Sequence, residues 1–430
     1  MVSQSFSLHK KPVISIDDFL NQYEDILESG LDTLLNLDFK LNKVRTSEKL
    51  ITSLRIAEPS DSEDIANLFK EIYHGSYPFK NMEDPEEISL LMEKNKVRWI
   101  LFISNNEELA GCFGANLKFK NKVGLLYGFI IRKKFRHIVD SLKAFTGSLI
   151  YFWNNYKKQI PIWIGEIRTN NPAPQFATAL CGLKPIAFYP NKDIFFGREE
   201  SEFLHIAYSD EVLNQYRRKD LPKIILPVIR GYAYAQKRYK LPFPELVEEF
   251  SFTKLVNYKF EDNRINSTNV ASLKRKIKVQ IERDKYKNES INFSLNSSYF
   301  KFIYNPYSRS IEKTKYNISY PEELQAFLIN LREFIYKRKV NYFQCFVSAY
   351  KPIDQRLFYN MKFKPNGYLP CWKYNKESRL FGDSVVFNYS RTPINENIKL
   401  IPETRELLEV LGYYGEVKSN GYLEQFLSYK

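Results

Sequence analysis

The sequence lacks the features that mark membrane-spanning, secreted and zinc-binding proteins. No apolar run reaches the length of about 18 residues that a membrane-spanning helix needs. The amino-terminal MVSQSFSLHKK has no apolar segment of the kind found in secretory signals. The 4 cysteines are scattered without a CxxC pair, at Cys112, Cys181, Cys345 and Cys371. This spacing argues against a zinc site or a disulfide framework, and we expect a cytoplasmic protein without a metal ion.

The positive charge is large but spread along the chain. Lysine and arginine number 64 against 50 aspartates and glutamates, a net charge of +14, with short clusters at 217–219 and 274–276. Such a balance is typical of nucleic-acid or anionic-membrane binding, and also of a lysine-rich composition combined with an anionic cofactor. Because the charges are spread, we favour the second interpretation and expect no membrane partner. Binding to polyanions that weakens steeply with salt would indicate the first.

The composition predicts a folded, multidomain protein. Apolar residues make up 44% of the 430 residues and aromatic residues 16%. A chain of this length and apolar content can form two or three domains with cores of their own.

The most informative stretch runs from Val123 to Pro190. It contains, in order, the apolar run VGLLYGFII, the basic turn RKKFRH, a long helical pattern, the apolar run IPIWIGEI, the polar turn RTNNPAP, a short helix and CGLKPIAFYP. Alternation of strands and helices in this order predicts a crossover α/β unit. A basic turn between a strand and a helix directs backbone N–H groups and positive charge to one point, which suits a phosphate.

This stretch resembles the GNAT superfamily of CoA-dependent N-acyltransferases. In that family the core strand runs into a loop of the form Arg-x-x-Gly-x-Gly/Ala, and a helix follows. Arg136 takes the first loop position, while Val139 and Ser141 stand at the two glycine positions. The second half matches the family pattern more closely, with Asn171, Gly182-Leu183 and Lys184-Pro185 at the expected spacing. A tyrosine that is frequent in the family is replaced by Thr178.

The resemblance implies that acetyl-CoA is the cofactor, bound between the fourth and fifth strands. It implies that the core-strand backbone contacts the pantetheine arm and supplies an N–H to the thioester oxygen, and that loop amides hold the pyrophosphate. The implied cofactor-binding residues are Phe129, Ile130, Ile131, Arg136, His137, Ile138, Val139, Ser141 and Asn171. His137 is equally explained as an exposed histidine, and Asn171 as a helix N-cap.

Two residues are candidates for catalysis. Transfer of an acetyl group to an amine requires a base, acting directly or through water. Glu166 lies on the fifth strand and is the candidate base, although a glutamate near a strand end is often solvated or ion-paired. Tyr127 lies on the core strand and faces either the acceptor or the core. No residue stands out as a general acid.

The region before this stretch has the order of elements with which GNAT domains begin. SIDDFLNQYEDILESG predicts an amphipathic helix of about four turns that starts at Ser15 and packs on the following domain. A strand at 54–57, a helix after a capping box at Ser60-x-x-Glu63, a second helix after Asp84 and a hairpin around Asn105-Asn106 follow. Tyr77-Pro78-Phe79 lies in the segment that lines the acceptor pocket in GNAT domains; it also reads as an aromatic turn on the core.

A second copy of the motif lies in the second half of the chain. Residues 336–370 align without gaps with residues 156–190, including Gln355 on Gln175 and Lys364-Pro365 on Lys184-Pro185. This alignment at a constant offset predicts a duplicated fold. Between the core strand and helix of the second copy stands YNISYPEEL, without glycine or a basic residue. Because its glutamates repel a pyrophosphate, we expect no CoA in the second copy.

The sequence therefore predicts an α/β protein with a mixed sheet, formed by two tandem GNAT-like domains and a helical amino-terminal extension. The predicted boundaries are an extension over 1–50, a first GNAT-like domain over 51–210, a helical connector over 211–250, a degenerate second domain over 251–395 and a helical tail over 396–430. The expected activity is acetyl transfer from acetyl-CoA to a primary amine of a small molecule or peptide. The alternatives are a catalytically inactive, regulatory GNAT pair and a nucleic-acid-associated or ribosome-associated protein.

Overall fold

The structure, a computed structural model, describes residues 5–6, 13–27, 38–39, 51–136, 141–247, 268–394 and 398–413. These residues form an α/β protein with mixed β-sheet, which confirms the predicted fold class. The chain divides into two units. Unit 1 is Met1–Ile167, Pro172–Lys184 and His205–Asn214, and unit 2 is Arg168–Asn171, Pro185–Leu204 and Gln215–Lys430.

The predicted helical extension over 1–50 also contains two short parallel strands, Ser5–Phe6 and Asp38–Phe39. From residue 51 to residue 208 the elements follow one another in the order that the sequence predicts. Up to residue 214 they are β1 (Ser5–Phe6), α1 (Ile16–Leu20), β2 (Asp38–Phe39), β3 (Ile51–Ile56), α2 (Ser62–Tyr73), α3 (Pro85–Glu93), β4 (Val97–Ser104), β5 (Leu109–Lys118), β6 (Val123–Ile131), α4 (Ser141–Tyr156), β7 (Ile162–Arg168), α5 (Pro172–Leu180), β8 (Lys184–Phe195), β9 (Arg198–Tyr208) and α6 (Asp210–Asn214).

Beyond residue 214 the described elements are β10 (Lys223–Ile224), α7 (Ile229–Tyr239), β11 (Glu245–Leu246), α8 (Thr268–Lys276), β12 (Lys278–Arg283), β13 (Glu289–Leu295), β14 (Ser298–Asn305), β15 (Ser310–Asn317), α9 (Pro321–Lys337), β16 (Tyr342–Ser348), α10 (Pro352–Asn360), β17 (Lys364–Tyr374), β18 (Phe381–Ser390) and α11 (Pro402–Val410). The predicted helical connector is only partly helical, because β10 and β11 flank α7. No helix among the described residues is long and apolar enough to cross a membrane.

In unit 1 the sheet has the order β3-β4-β5-β6-β7. The first four strands are antiparallel, and β6 and β7 are parallel. The α4 helix that connects β6 to β7 packs its aromatic residues on the sheet, where Phe145 and Phe152 contact Phe113 at ring-centroid distances of 5.1 and 5.9 Å. A crossover helix is what a parallel strand pair requires.

The amino-terminal helix is shorter than predicted. Its cap is as expected, because the Ser15 hydroxyl accepts from the Asp18 N–H and the Asp18 carboxylate accepts from the Ser15 N–H. The α-helix ends at Leu20, and a 3₁₀ segment with a non-helical Tyr23 follows. The predicted packing is confirmed, since the Phe19 ring contacts the Trp153 ring edge-on at 4.8 Å. Burial of Tyr23 against the core therefore prevails over a regular helix.

A second local prediction was wrong. The predicted capping box of Ser60 and Glu63 does not form; a 3₁₀ turn covers Pro59–Asp61, and the Asp61 carboxylate accepts from the Glu58 N–H at 2.7 Å. The cap of α3 is as predicted, because the Asp84 carboxylate accepts from the first-turn N–H groups. The hairpin at Asn105-Asn106 is confirmed by β4 and β5.

In unit 2 the strand order is β12-β13-β14-β15-β16-β18-β17-β8, followed by the part of β9 up to Leu204. Strands β12 to β15 are antiparallel, β15 and β16 are parallel, and β18 pairs antiparallel with both β16 and β17. Strand β8 joins this sheet through Gly367 opposite Ala187. A Cβ atom at residue 367 would lie 2.4 Å from the Ala187 Cβ, so this crossing requires glycine.

The constant offset of the sequence alignment recurs in the element bounds. Under that offset both ends of β16 fall on both ends of β7, both ends of α10 fall on both ends of α5, and the start of β17 falls on the start of β8. One unusual backbone angle recurs at the same offset. Asn191 and Cys371, each one residue beyond the aligned segments, both have a positive φ, at 49° and 53°. Such positions mark bulges that interrupt a strand at a fixed place.

Candidate functional site

The main candidate site is the gap between β6 and β7, which we define by Tyr127–Ile131 on β6 and Glu166–Ile167 on β7. The two strands pair from Val123 with Ile162 to Leu126 with Gly165, and no ladder pair joins the described residues beyond that point. Along the gap, β6 remains paired on its other side with β5. The β6 edge that faces the gap therefore offers backbone groups for hydrogen bonds to an extended ligand.

A bulge at Gly128 accompanies the gap. The β5–β6 register shifts between Cys112 and Gly114, and Gly128 has a φ of 64°. A Cβ atom here would lie 2.9 Å from a Phe69 carbon and 3.0 Å from two Trp99 carbons. Glycine is therefore required both for the backbone angle and for the close approach of two aromatic rings. The bulge bends β6 at the point where its pairing with β7 ends.

Tyr127, a predicted catalytic residue, is held in an apolar environment. Its ring contacts the Trp99 ring at 4.9 Å, and its hydroxyl oxygen is buried without a hydrogen-bond partner in the described part of the chain. Burial, with a smaller contribution from Cys112, raises the pKa of Tyr127 well above its ordinary value. A phenol in this state keeps its proton at neutral pH, so Tyr127 is unsuited to act as a base.

Glu166, the other predicted catalytic residue, follows the last ladder pair on β7. It is half-buried and therefore lies at the edge of the gap. A carboxylate at this position has the chemistry of a general base.

The implied cofactor-binding residues of β6 direct their side chains into the core. The Phe129 ring contacts Phe102, Phe113 and Phe145 at 5.4 to 5.5 Å. Ile130 and Ile131 are buried. Only the backbone of these residues is therefore suited to contact a ligand in the gap.

The basic turn after β6 is anchored to the end of the strand. The Arg136 Nε donates to the Ile131 carbonyl oxygen at 3.1 Å, and the side chain is otherwise exposed. Two of its neighbours are engaged in ion pairs, Arg132 with Glu71 at 2.9 Å and Lys134 with Glu108 at 2.5 Å.

Three implied loop residues, His137, Ile138 and Val139, lie outside the described residues. Ser141 is exposed and is the first residue of α4. The amino terminus of a helix carries a partial positive charge and unpaired N–H groups, which favour an anion.

Asn171 and Thr178, singled out by the second half of the motif, lie in different environments. Asn171 is exposed and immediately precedes α5. Thr178 is buried, and its hydroxyl lies 2.9 Å from the carbonyl oxygens of Pro174 and Gln175. The same hydroxyl lies 2.9 Å from the Nδ1 of buried His205, a contact that the sequence did not reveal.

The corresponding gap in unit 2 is filled by side chains. β15 and β16 pair only at Ser310 with Tyr342 and Ile311 with Phe343. Beyond these pairs, the Thr314 hydroxyl donates to the Gln344 carbonyl oxygen at 2.8 Å and bridges the two strands.

Tyr316 and Asp354 also occupy the gap between β15 and β16. The Tyr316 hydroxyl donates to the Asp354 carboxylate at 2.9 Å, and its ring stacks on Phe300 at 5.8 Å. Burial raises the pKa of Asp354 against the opposing effects of Lys351 and Tyr316. Aromatic rings and a buried carboxyl group thus occupy the region that would have to be open for a ligand.

The helix after β15 is capped by its own acidic residue. The Glu323 carboxylate accepts from the Tyr320 N–H at 3.2 Å and from the Ser298 hydroxyl at 2.5 Å. A carboxylate in this position repels an anionic ligand from the helix terminus. Among the described residues of both units, no three His, Cys, Asp or Glu side chains lie close enough to hold a metal ion.

Comparisons with known proteins reveal only remote similarity. Neither a protein-family model nor a curated protein sequence matches the chain. The dodecameric spermidine N-acetyltransferase from Vibrio cholerae is similar to 38% of this chain over 96% of its own length, with 15% identity and a TM-score of 0.31. A ribosomal-protein-S5-alanine acetyltransferase from Vibrio fischeri is similar to 39% of this chain over 96% of its length, with 14% identity and a TM-score of 0.31. Both TM-scores are too low for either similarity to carry a conclusion about this chain.

Proposed function

We propose that the chain is a GNAT-type N-acyltransferase that uses the gap between β6 and β7 to bind acetyl-CoA and transfers the acetyl group to a primary amine. The observation that carries the proposal is the gap itself. Its β6 edge has backbone groups that β7 does not pair, and the strand ends in a basic turn followed by the amino terminus of α4.

The residues around the gap fit the parts of such a cofactor. The β6 backbone at Phe129–Ile131 would hold the pantetheine arm and supply an N–H to the thioester oxygen, where negative charge develops during transfer. Arg136 and the α4 terminus at Ser141 would hold the pyrophosphate. The bound cofactor supplies an activated acetyl thioester.

The protein supplies orientation and a base. Glu166 takes the proton of the attacking amine, directly or through water, because it is the carboxylate at the gap and the Tyr127 phenol remains protonated. The acceptor side is assigned to Tyr77-Pro78-Phe79, although Tyr77 is itself buried among Phe69 and Tyr73 at 4.9 and 4.6 Å. Packing of this turn on the core is therefore part of its role.

We further propose that the second copy arose by duplication and does not bind CoA. The recurrence of the element bounds at a constant offset supports the duplication. The Tyr316–Asp354 contact and the Glu323 cap support the loss of the cofactor site.

A catalytically inactive binding protein is the second candidate. Thr178 in place of the family's tyrosine favours it, because its hydroxyl is engaged within α5 and by His205 rather than available as an acid.

The test is the stabilisation of the full-length protein by acetyl-CoA. A ligand at ten times its dissociation constant stabilises the folded state by about 1.4 kcal/mol, which thermal unfolding detects. We expect Arg136→Glu to abolish the shift, because it places a negative charge at the phosphate position. Lys120→Glu, with the same charge change on an exposed residue after β5, is the control. A shift that Arg136→Glu leaves intact contradicts the site, and a shift without turnover of any amine favours the binding protein.

A further inference from the structure

Unit 2 contains a cavity of about 420 Å³ that shares no residue with the gap described above. It is lined by Thr169 and Asn170 after β7, by Arg198–Ser201 on β9 and by Ile398. The size falls within the range of small-molecule sites, which is about 300 to 1,000 Å³. We propose that this cavity binds a small primary ammonium ion, with Glu199 as the charged acceptor and Thr169 as a neutral one.

The backbone around the cavity is firmly held. The Thr169 N–H donates to the Ser201 carbonyl oxygen at 3.0 Å, and the Lys399 N–H donates to the Thr169 carbonyl oxygen at 2.8 Å. The tight turn at Phe196-Gly197, with φ values of 51° and 74°, returns the chain so that β9 forms one wall. A cavity with walls fixed in this way is organised before a ligand arrives.

Glu199 provides an uncompensated negative charge. Its two carboxylate oxygens accept from the Asn341 amide at 2.7 Å and from the Thr392 hydroxyl at 2.6 Å, both neutral donors. Within the described ranges, no lysine or arginine forms an ion pair with Glu199. The carboxylate is half-buried and fixed in orientation, so it attracts a cation more strongly than a mobile surface glutamate does.

The other charged residues that line the cavity do not pair with Glu199. Glu200 is neutralised by Arg168, whose Nε and Nη2 donate to it at 2.6 and 2.7 Å, and Arg168 stacks on Phe195 at 3.9 Å. Arg198 is exposed, so water and salt screen its charge. Glu199 is therefore the lining carboxylate that has no ion-pair partner among the described residues, in a chain whose overall charge is +14.

Thr169 supplies an observation that is independent of the acidic residues. It is only 3% exposed and lines the cavity, and its backbone groups are held by Ser201 and Lys399. The side chain is therefore fixed at the cavity wall, where its hydroxyl oxygen has the chemistry to accept from a ligand N–H.

Binding of three isosteric probes to the full chain tests the inference. The probes are 1,4-diaminobutane, 1,4-butanediol and succinate, measured by ligand-observed NMR without acetyl-CoA. We expect the diamine to bind and the other two not to bind. Preference for succinate would overturn the proposal, because the exposed Arg198 would then dominate. So would equal binding of the diol, which would mean that charge plays no part.

Two variants localise the binding. Glu199→Gln keeps an oxygen acceptor and removes the charge, and we expect it to weaken diamine binding about ten-fold or more. Thr169→Val keeps the shape and removes the hydroxyl, and we expect a loss of about three- to ten-fold at unchanged melting temperature. Glu282→Gln on exposed β12 is the matched control. Diamine binding that neither Glu199→Gln nor Thr169→Val weakens overturns the proposal.

The inference does not depend on the proposed acyl transfer. Diamine binding is measured in the absence of acetyl-CoA, and acetyl-CoA binding is measured in the absence of diamine. Failure of one measurement therefore leaves the other interpretation standing.

Discussion

The two gaps, β6/β7 in unit 1 and β15/β16 in unit 2, have the same strand directions and different contents. In unit 1 the pairing of β6 with β7 ends at a bulge, and the β6 edge beyond it lacks a strand partner among the described residues. In unit 2 the Thr314 hydroxyl and the Tyr316 ring fill the corresponding place. The comparison teaches that a splayed strand pair is a property of the fold, whereas room for a ligand depends on a few side chains.

The largest expected effect is that of Gly128→Val, which removes the bulge from the first gap. The new side chain meets Phe69 and Trp99 and requires a positive φ that β-branched residues avoid. We expect a loss of about 3 kcal/mol in the free energy of unfolding, together with the loss of the acetyl-CoA shift.

Gly197→Ala is the matched control for this prediction. Gly197 also has a positive φ, 74°, but a Cβ atom there meets nothing within 4 Å. We expect a loss of about 1 kcal/mol from backbone strain alone. Equal losses for the two variants in urea unfolding would show that packing at Gly128 contributes nothing.

Removal of one hydroxyl from each gap gives a smaller and more selective effect. Tyr316→Phe leaves the buried Asp354 without its phenolic donor, and we expect a loss of about 1 to 2 kcal/mol. Tyr127→Phe removes a buried hydroxyl that has no partner in the described structure, so we expect no loss or a slight gain. Chemical denaturation of both variants measures the difference, and a larger loss for Tyr127→Phe would contradict the assigned contents of the two gaps.

The smallest expected effect is on the pH dependence of stability. Because burial raises the pKa of Asp354 above 3.8, the folded state binds more protons than the unfolded state above that pH. Its contribution to stability is therefore fully present below the unfolded pKa and is lost as the pH rises through the folded pKa. Asp354→Asn should remove this decrease in stability with rising pH, measured by urea unfolding at a series of pH values above 3.8.

Asp61 in unit 1 is expected to give the opposite pH dependence of stability. Burial alone raises its pKa, but the Arg55 hydrogen bond, the Glu58 N–H and the Arg55 charge together lower it. The stability that it contributes is present above 3.8 and is lost as the pH falls through the folded pKa. Asp61→Asn should therefore flatten the curve only on the acid side. If Asp354→Asn and Asp61→Asn altered the pH dependence of stability in the same direction, the environments assigned to the two carboxyl groups would be wrong.

The sequence was sufficient to predict elements whose causes are local. The hairpin at Asn105-Asn106 and the cap at Asp84 both depend on short patterns. The predictions of a four-turn amino-terminal helix and of a Ser60–Glu63 capping box were wrong, because burial of Tyr23 and the Arg55–Asp61 ion pair depend on the folded chain.

The candidate site residues also differ in whether a local pattern or the folded chain identifies them. Glu166 and Arg136 are candidates that follow from short patterns, Glu166 within an apolar run and Arg136 in the basic turn after one. The Thr178–His205 contact and the Glu199 cavity do not follow from such patterns, because each joins segments far apart in sequence. Only the folded chain brings such residues together, and no periodicity in the sequence predicts them.

The pairing of Gly367 with Ala187 has a consequence for synthesis of the protein. Strand β8 leaves the ribosome well before the glycine that receives it. At about 5 to 20 residues per second, the interval between synthesis of Ala187 and synthesis of Gly367 lasts roughly 10 to 40 s. During that time β8 has one of its neighbours in the sheet, β9, and lacks the other, β17. The order of translation therefore leaves the edge of β8 that later faces Gly367 open until the second half of the chain has been made.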